Sequence, residues 1–260
     1  MMSLLLKALQ EIKTRAYQSF VNDTRNIQLD QAIISVTFDD VPYSALENGL
    51  AILDQHSIKA TFYIATGLCS PDDSNDPETD TAERFLNRDN IEQLNQSGHD
   101  IACHTHSHYR LDQGSADEMA QDAEKNIKTL SSWIKGKPIQ HFSYPFGLVS
   151  FKAKKLLSKH YKTMRSSRPG INSDNSDFYL LRATSIYNPS FSKSTMSETI
   201  AETIKRGGWL VLYTHGVDDN PGPYDCTPEQ LDWVLTQAVA SGARILPVTE
   251  AYDIISKAPH

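Results

Sequence analysis

Two adjacent carboxylates, Asp39 and Asp40, follow an apolar run at residues 32–36 that predicts a buried strand. A buried carboxylate must be paired, hydrogen-bonded or bound to a metal ion. Because like charges repel, the pair favours separate roles, in which one carboxylate holds a cation and the other stays free as a base. An aspartate after a strand also commonly caps the next helix, so the pair needs support from the rest of the chain.

Three alternating histidines supply that support: His104, His106 and His108. On a strand all three would share a face, whereas on a helical turn His104 and His108 share a face and His106 points away. Two histidines four residues apart and one carboxylate form an open three-ligand metal site with room for water. Beside the aspartate pair, a metal site is therefore favoured over three surface histidines, and His106 is interpreted as structural.

Two further polar clusters come directly after predicted strands. Residues 144–146 (YPF) follow a strand at 140–143, and His215 follows the apolar strand at 209–214. Active residues of parallel barrels lie where strands end, on one face. The four clusters are therefore expected to meet at one site.

The elements between these clusters alternate strand and helix about seven times, which predicts parallel βα units. The other predicted strands lie at 60–65, 99–103, 161–164, 180–183 and 243–248. Predicted helices lie at 44–55, where Ser44 and Glu47 would form a capping box, at 89–96, 115–134, 152–158 and 195–205, and from 227 onward. With 260 residues, the pattern favours one barrel-sized domain, an incomplete barrel of fewer than eight units. An open doubly wound sheet is disfavoured because no glycine-rich turn follows the first strand.

The ends of the chain are assigned to the same single domain, 1–260, with its core at about 32–250. Leucines, isoleucine and phenylalanine at helical spacing predict an amphipathic helix over 1–20, within an N-terminal helical segment at 1–25. Packing on the domain is favoured over an interfacial membrane helix because the charged face is mixed rather than basic. The acidic stretch at 71–80 predicts a solvated loop.

Composition excludes several classes of function. The net charge of −7 argues against nucleic-acid binding, and no run is long enough to span a membrane. Three scattered cysteines form no disulfide framework, and charges break any signal-peptide core, so a cytoplasmic protein with at most weak peripheral membrane contact is expected.

Three motifs together resemble those of the polysaccharide deacetylases (carbohydrate esterase family 4, the NodB-homology domain). They are residues 37–40 (TFDD), 104–108 (HTHSH) and 212–215 (LYTH), and their order and spacing match across about residues 32–250. The resemblance implies an α/β fold, a distorted (β/α)₇ TIM-like barrel. It also implies a divalent metal cofactor, foremost Zn²⁺ with Co²⁺, Mn²⁺ or Ni²⁺ as alternatives, and hydrolysis of N-acetyl groups on sugars.

The resemblance also assigns roles to individual residues. Asp40, His104 and His108 become the metal ligands, Asp39 the general base and His215 the general acid. The chemistry agrees, because a metal ion acidifies water and imidazole can protonate a leaving amine near neutral pH. Substrate and oxyanion contacts fall on the third motif, Tyr144, Pro145 and Phe146, with the Phe146 backbone N–H as the oxyanion donor.

The chain departs from the family pattern at two places. Ser143 stands where the family usually has an arginine that pairs with the catalytic aspartate, and Phe146 stands in place of a tyrosine. Arg165 or Arg168 could supply the missing guanidinium, with plain surface arginines as the alternative for both. The fourth-motif Asp-Trp pair that tunes the acid histidine is not evident either.

The sequence thus predicts a metal-dependent N-deacetylase acting on N-acetylhexosamine units of a polysaccharide, or of its lipid-linked precursor. Residues 217–227 look like a loop beside His215. Together with the lack of a signal-peptide core, this loop resembles a cytoplasmic subgroup active in exopolysaccharide biosynthesis, such as the holdfast-type deacetylases. Two alternatives stay open: a deacylase of a non-sugar amide or formamide, and a carbohydrate-binding protein on an inactive barrel.

Overall fold

The computed structural model describes residues 21–70, 84–187 and 191–257. The predicted helix at 1–20 and the predicted acidic loop at 71–80 lie outside these residues. Residues 24–25, which the sequence placed in the N-terminal helical segment, form a short strand instead.

The described residues form ten strands, most of them short. They are β1 (Thr24–Arg25), β2 (Ile33–Asp39), β3 (Thr61–Ile64), β4 (Asp100–Cys103), β5 (His141–Ser143), β6 (Thr163–Arg165), β7 (Ser176–Asp177), β8 (Thr184–Ser185), β9 (Trp209–Thr214) and β10 (Arg244–Ile245). Every residue of β2, β3, β4 and β9 is buried, as expected for parallel strands covered on both faces.

The main sheet has the order β6-β5-β4-β3-β2-β9-β8, and all of its pairs are parallel. The short β10 pairs with the start of β2. An isolated parallel bridge between Arg165 and Leu181 joins β6 to the segment that enters β8, so the sheet curls toward closure. Outside this sheet, β1 and β7 form a small antiparallel pair.

Seven α-helices follow or link the strands. They are α1 (Leu50–Gln55), α2 (Arg88–Gln96), α3 (Ala116–Trp133), α4 (Phe151–Leu157), α5 (Lys193–Arg206), α6 (Pro228–Ala240) and α7 (Val248–Ile255). Side chains of Asn87, Ser115 and Thr227 close capping boxes at the starts of α2, α3 and α6. Together, the helices and the curled parallel sheet confirm the predicted distorted (β/α)₇ barrel.

Three local predictions were wrong. Ser44 does not cap a helix, because its own backbone is helical and the chain continues into a π-helix, Ala45–Gly49, before α1. The strand predicted at 243–248 stops at Ile245, since Pro247 precedes the start of α7. The strand predicted at 180–183 is displaced to β8, and only Leu181 of that range forms a bridge.

None of the helices in the described residues is long and apolar enough to cross a membrane. Cys69, Cys103 and Cys226 are all free thiols.

Candidate metal centre and active site

Parallel pairing brings the carboxyl ends of the central strands to one face. Asp39 ends β2 beside Tyr63 of β3, and Ser143 of β5 lies opposite Arg165 of β6. His215 directly follows β9, whose Thr214 is in register with Phe38. The predicted polar clusters therefore reach the same end of the barrel because the strands share one direction.

Asp40, His104 and His108 come together as a potential ligand set. Their ligand atoms all lie within 4.8 Å of one another. Asp40 Oδ1 is 3.5 Å from Nε2 of His104 and 3.4 Å from Nε2 of His108. The same oxygen is buried and has no hydrogen-bond partner. A buried carboxylate oxygen without a donor, facing two imidazole nitrogens, fits a divalent cation.

The second nitrogen of His104 supports this assignment. Its Nδ1 lies 2.8 Å from the Ser143 carbonyl oxygen, which can only accept a hydrogen bond. Nδ1 therefore carries the proton and Nε2 presents its lone pair to the site, as is typical of metal-binding histidines.

Without an ion, the three groups have altered acidities. Burial, and then the neighbouring charge of Asp39, raises the pKa of Asp40 to about 7. Burial lowers the pKa of His104 to about 3 and that of His108 to about 4. Both imidazoles are thus neutral and available as ligands near neutral pH.

The loop that carries the two histidines is tied down by its neighbours. His106 points away from Asp40, with its Nδ1 2.8 Å from Thr66 Oγ1. Its carbonyl oxygen accepts from the Gly67 N–H at 2.7 Å, and its own N–H donates to Asp122 of α3 at 2.7 Å. A Cβ at Gly67 would lie 2.6 Å from that carbonyl oxygen, so this close approach requires glycine. His106 has the structural place expected for it.

Backbone strain is concentrated at this face. Of seven described non-glycine residues with positive φ, five lie in the site loops: Asp40 (57°), Val41 (66°), Thr105 (63°), His108 (52°) and Phe146 (58°). Such conformations persist only where the surrounding structure enforces them, and they cluster at functional sites.

Asp39 lies against Arg165. The Arg165 guanidinium forms an ion pair with both carboxylate oxygens and donates to Ser143 Oγ at 2.6 Å. It lies between the rings of Tyr63 and Tyr213, at 5.0 and 4.8 Å from their centroids. Burial alone would raise the pKa of Asp39, but nearby positive charge, foremost that of Arg165, outweighs burial and lowers that pKa. Of the two arginines considered from sequence, the structure places Arg165 against Asp39.

His215 approaches from the other side of Asp40. Its Nε2 is 4.0 Å from Asp40 Oδ2, and its Nδ1 is 3.2 Å from the carbonyl oxygen of Tyr224. Burial lowers the pKa of His215, although Asp39 opposes the shift. A backbone carbonyl therefore stands where a carboxylate partner was expected from the family pattern.

Residues 144–146 differ in how far their side chains are exposed at the site. Phe146 is 56% exposed, and its ring centroid is 4.2 Å from that of His108. Pro145 is buried, and Tyr144 packs in the core, where its hydroxyl donates to the Tyr179 carbonyl at 3.2 Å. The Tyr144 side chain is therefore covered and its hydroxyl is satisfied, so Phe146 is the member of this cluster with an exposed side chain at the site.

Sequence reasoning missed three tyrosines around the site: Tyr63, Tyr213 and Tyr224. Tyr63 pairs with Asp39 across β2 and β3, and Tyr213 lies two residues before His215 along the chain. Because side chains alternate along a strand, the position of Tyr213 relative to His215 is the sequence signal that could have identified it. No local sequence signal marks the Tyr224 carbonyl, because it is a main-chain group in a loop.

Comparisons with known proteins identify the family of the chain and relatives of its fold. The sequence model of the polysaccharide deacetylases matches residues 26–164, which is more than half of the chain. No curated protein sequence gives a significant match.

Several solved structures share the fold at low identity. A family 4 acetyl xylan esterase from Clostridium thermocellum, in complex with cobalt, is 21% identical over 85% of this chain and 91% of its own, with a TM-score of 0.56. The chitin deacetylase of Colletotrichum lindemuthianum is 15% identical over 90% of this chain and 92% of its own, with a TM-score of 0.58. A CE4 family pseudoenzyme from Bacillus anthracis is 15% identical over 86% of this chain and 66% of its own, with a TM-score of 0.60. At these identities the likeness establishes the fold alone.

Proposed function

Because the chain belongs to the polysaccharide deacetylase family, we propose that it is a metal-dependent hydrolase that removes N-acetyl groups from N-acetylhexosamine units of a polysaccharide or its lipid-linked precursor. The observation that carries the proposal is the buried, partnerless Oδ1 of Asp40 facing Nε2 of both His104 and His108. A second carboxylate, Asp39, ion-paired with Arg165, and a third imidazole, His215, stand beside this set.

The proposed cofactor is a divalent ion held by Asp40, His104 and His108. One carboxylate and two imidazoles suit zinc, with cobalt, manganese or nickel as alternatives. When bound, the ion would polarise the acetyl carbonyl and make the attacking water more acidic.

Asp39 is proposed as the general base. Its ion pair with Arg165 keeps the carboxylate ionised and fixed in orientation. An ionised, immobile carboxylate next to the ligand set can accept the proton of the attacking water. Ser143 contributes by leaving space for the guanidinium and by accepting one of its hydrogen bonds.

His215 is proposed as the general acid. With Nδ1 directed at the Tyr224 carbonyl, its Nε2 faces the site and can deliver a proton to the departing amine. By family resemblance, the Phe146 backbone N–H would stabilise the oxygen that gains negative charge.

Two exposed aromatic rings favour a sugar over a small non-sugar amide. Phe146 is 56% exposed beside His108, and Tyr224 is 58% exposed with its ring 5.3 Å from that of His215. Exposed aromatic faces at a site mark ligand contacts, and the C–H faces of pyranose rings stack on such surfaces.

The inactive-barrel alternative has a specific observation behind it, because a CE4 family pseudoenzyme shares this fold. In this chain, however, both aspartates and all three histidines proposed for chemistry are present and converge. A cytoplasmic location and a role in exopolysaccharide biosynthesis stay predictions.

The test is release of acetate or formate from four substrate sets: N-acetylated oligosaccharides, lipid-linked N-acetylhexosamines, acetylated xylan and simple formamides. The protein is assayed after removal of metal and after addition of one equivalent of Zn²⁺ or Co²⁺. Metal-dependent acetate release from N-acetylated glycans supports the proposal. Release only from formamides would favour the non-sugar alternative, and release from no substrate by metal-loaded protein would favour the inactive barrel.

A further inference from the structure

The loop after β9, residues 216–226, folds back over His215. The carbonyl oxygen of Tyr224 accepts from the His215 backbone N–H at 3.2 Å and lies 3.2 Å from His215 Nδ1. Thr214 Oγ1 approaches the same oxygen at 3.3 Å. The Tyr224 carbonyl thus contacts both the backbone N–H and the ring Nδ1 of His215.

Asp225 closes this loop. Its carboxylate accepts from the Gly216 N–H at 2.6 Å and from the Gly222 N–H at 3.2 Å. The backbone adds a bond from the Cys226 N–H to the Gly216 carbonyl at 3.2 Å. Gly216 is adjacent to His215, and a Cβ there would lie 2.7 Å from Asp225 Oδ1. The Asp225 carboxylate therefore holds the start of the loop, at Gly216, against its end. Tyr224, the residue before Asp225, is thereby held against His215.

We propose that Asp225 is a positioning residue for His215: by closing the loop it presents the Tyr224 carbonyl to Nδ1, in place of the carboxylate that the family pattern would supply. The proposal rests on the proposed role of His215 as general acid. A carbonyl only accepts hydrogen bonds, so Nδ1 keeps its proton throughout the reaction.

The proton transfer then has a defined direction. As the C–N bond of the substrate breaks, its electron pair goes to nitrogen, which takes the proton from Nε2 of the imidazolium. The histidine ends neutral, with the remaining proton on Nδ1 and still bonded to Tyr224. Without the closed loop, the neutral ring would divide between its two tautomers and lose its orientation.

The experiment compares three variants of the full chain. Asp225→Ala removes both loop bonds, and Asp225→Asn keeps an acceptor for the short bond to Gly216. Asp219→Ala is the matched control, because it removes an exposed aspartate of the same loop. For each, kcat is measured on an N-acetylated glycan and on an ester with a phenol leaving group, which needs little protonation. The tautomer of His215 is read from its ring ¹⁵N shifts in metal-free protein.

For Asp225→Ala we expect amide turnover to fall by about ten- to a hundredfold with little change in KM, and ester turnover to fall much less. The ¹⁵N spectrum should show a mixture of tautomers, whereas Asp225→Asn should keep the Nδ1–H form and most of the activity. The ratio of amide to ester turnover does not depend on the folded fraction, so partial unfolding does not obscure the result.

The proposal would be overturned if Asp225→Ala and Asp219→Ala gave the same ratio of amide to ester turnover and the same ¹⁵N spectrum of His215. A wrong proposed function would give a different result from a wrong role for Asp225. In that case the unmodified protein itself would show no turnover, while the ¹⁵N spectra of the variants could still be compared.

Discussion

At the residue scale, Asp39 and Asp40 are neighbours in sequence with opposite surroundings. Both oxygens of Asp39 contact Arg165, whereas Oδ1 of Asp40 has no donor and faces two imidazoles. Asp40 leaves the strand at a positive φ of 57°. Their different partners divide the two aspartates into a candidate base and a candidate ligand.

The first prediction concerns Arg165. Arg165→Ala should lower kcat by roughly ten- to a thousandfold and leave metal affinity little changed, because it removes the cation that keeps Asp39 ionised. Loss of one partner from a buried ion pair should also cost about 3–5 kcal/mol of stability. Steady-state kinetics and urea unfolding measure the two effects.

Arg168→Ala is the matched control, since Arg168 lies three residues away and does not contact Asp39. Equal kinetics for the two variants would rule out a role for Arg165 at the base.

The second prediction concerns the pH dependence of metal binding. In metal-free protein the pKa of Asp40 is about 7, and those of His104 and His108 are about 3 and 4. Between about pH 4 and 7 the ligand set therefore holds one proton, on Asp40, which an incoming ion must displace.

The association constant should consequently rise about tenfold per pH unit up to about pH 7 and then level off. Calorimetric titration in buffers of different ionisation enthalpy would measure the released proton. An affinity that does not change between pH 5 and 7 would contradict the protonation state assigned to Asp40.

At the element scale, the guanidinium beside the base comes from β6 rather than from β5. Ser143 and Arg165 are register partners, so their side chains reach the same point from adjacent strands. The small serine leaves room for the arginine and accepts one of its hydrogen bonds.

The third prediction tests this exchange between strands. Ser143→Arg alone should destabilise the protein by several kcal/mol, because two guanidinium groups would then share one buried carboxylate. Adding Arg165→Ser should restore much of the stability and part of the activity. Urea unfolding of the two single variants and the double variant gives the coupling free energy. Additive effects would show that the two positions do not share a site.

Elements with a regular pattern were predictable from the sequence, and irregular ones were not. The strand β9 and the starts of α3 and α6 carry local signals, and the structure has them within a residue or two of the predicted positions. The π-helix at Ala45–Gly49 has no such signal, and β8 is placed by pairing with β9 rather than by its own residues. Tertiary contacts decide such segments.

At the scale of the whole molecule, the candidate site was predictable to the extent that its members are side chains at strand ends. Parallel strands bring such side chains together, so sequence motifs were enough to group Asp40, His104, His108 and His215. The Tyr224 carbonyl and the burial of Tyr144 depend on how loops fold over the barrel, and no spacing rule reports that.

The fourth prediction concerns acid stability of the metal-free protein and uses His141, a buried histidine away from the metal centre. Burial lowers the pKa of His141 to about 3. The unfolded chain takes up a proton below about pH 6.5 and the folded chain does not until about pH 3, so unfolding binds a proton in between. The contribution to stability is therefore complete above pH 6.5 and is lost as the pH falls toward 3.

His141→Phe should reduce the pH dependence of the unfolding free energy by up to about 1.4 kcal/mol per pH unit between pH 5.5 and 4. Phenylalanine keeps the ring contact with Tyr252, whose centroid lies 5.7 Å from that of His141. Urea unfolding at several pH values measures the slope. Parallel curves for the two proteins would show that His141 does not titrate as stated.

The most direct test of the account is the rate of acetate release by Asp39→Asn loaded with one equivalent of metal. We predict that the variant binds the ion as the unmodified protein does, because its ligands are intact. Its turnover should fall by about a thousandfold or more, because it lacks the proton acceptor. Acetate release within about threefold of the unmodified protein, at full metal occupancy, would contradict the assignment of Asp39 as the base and with it the proposed division of the two aspartates.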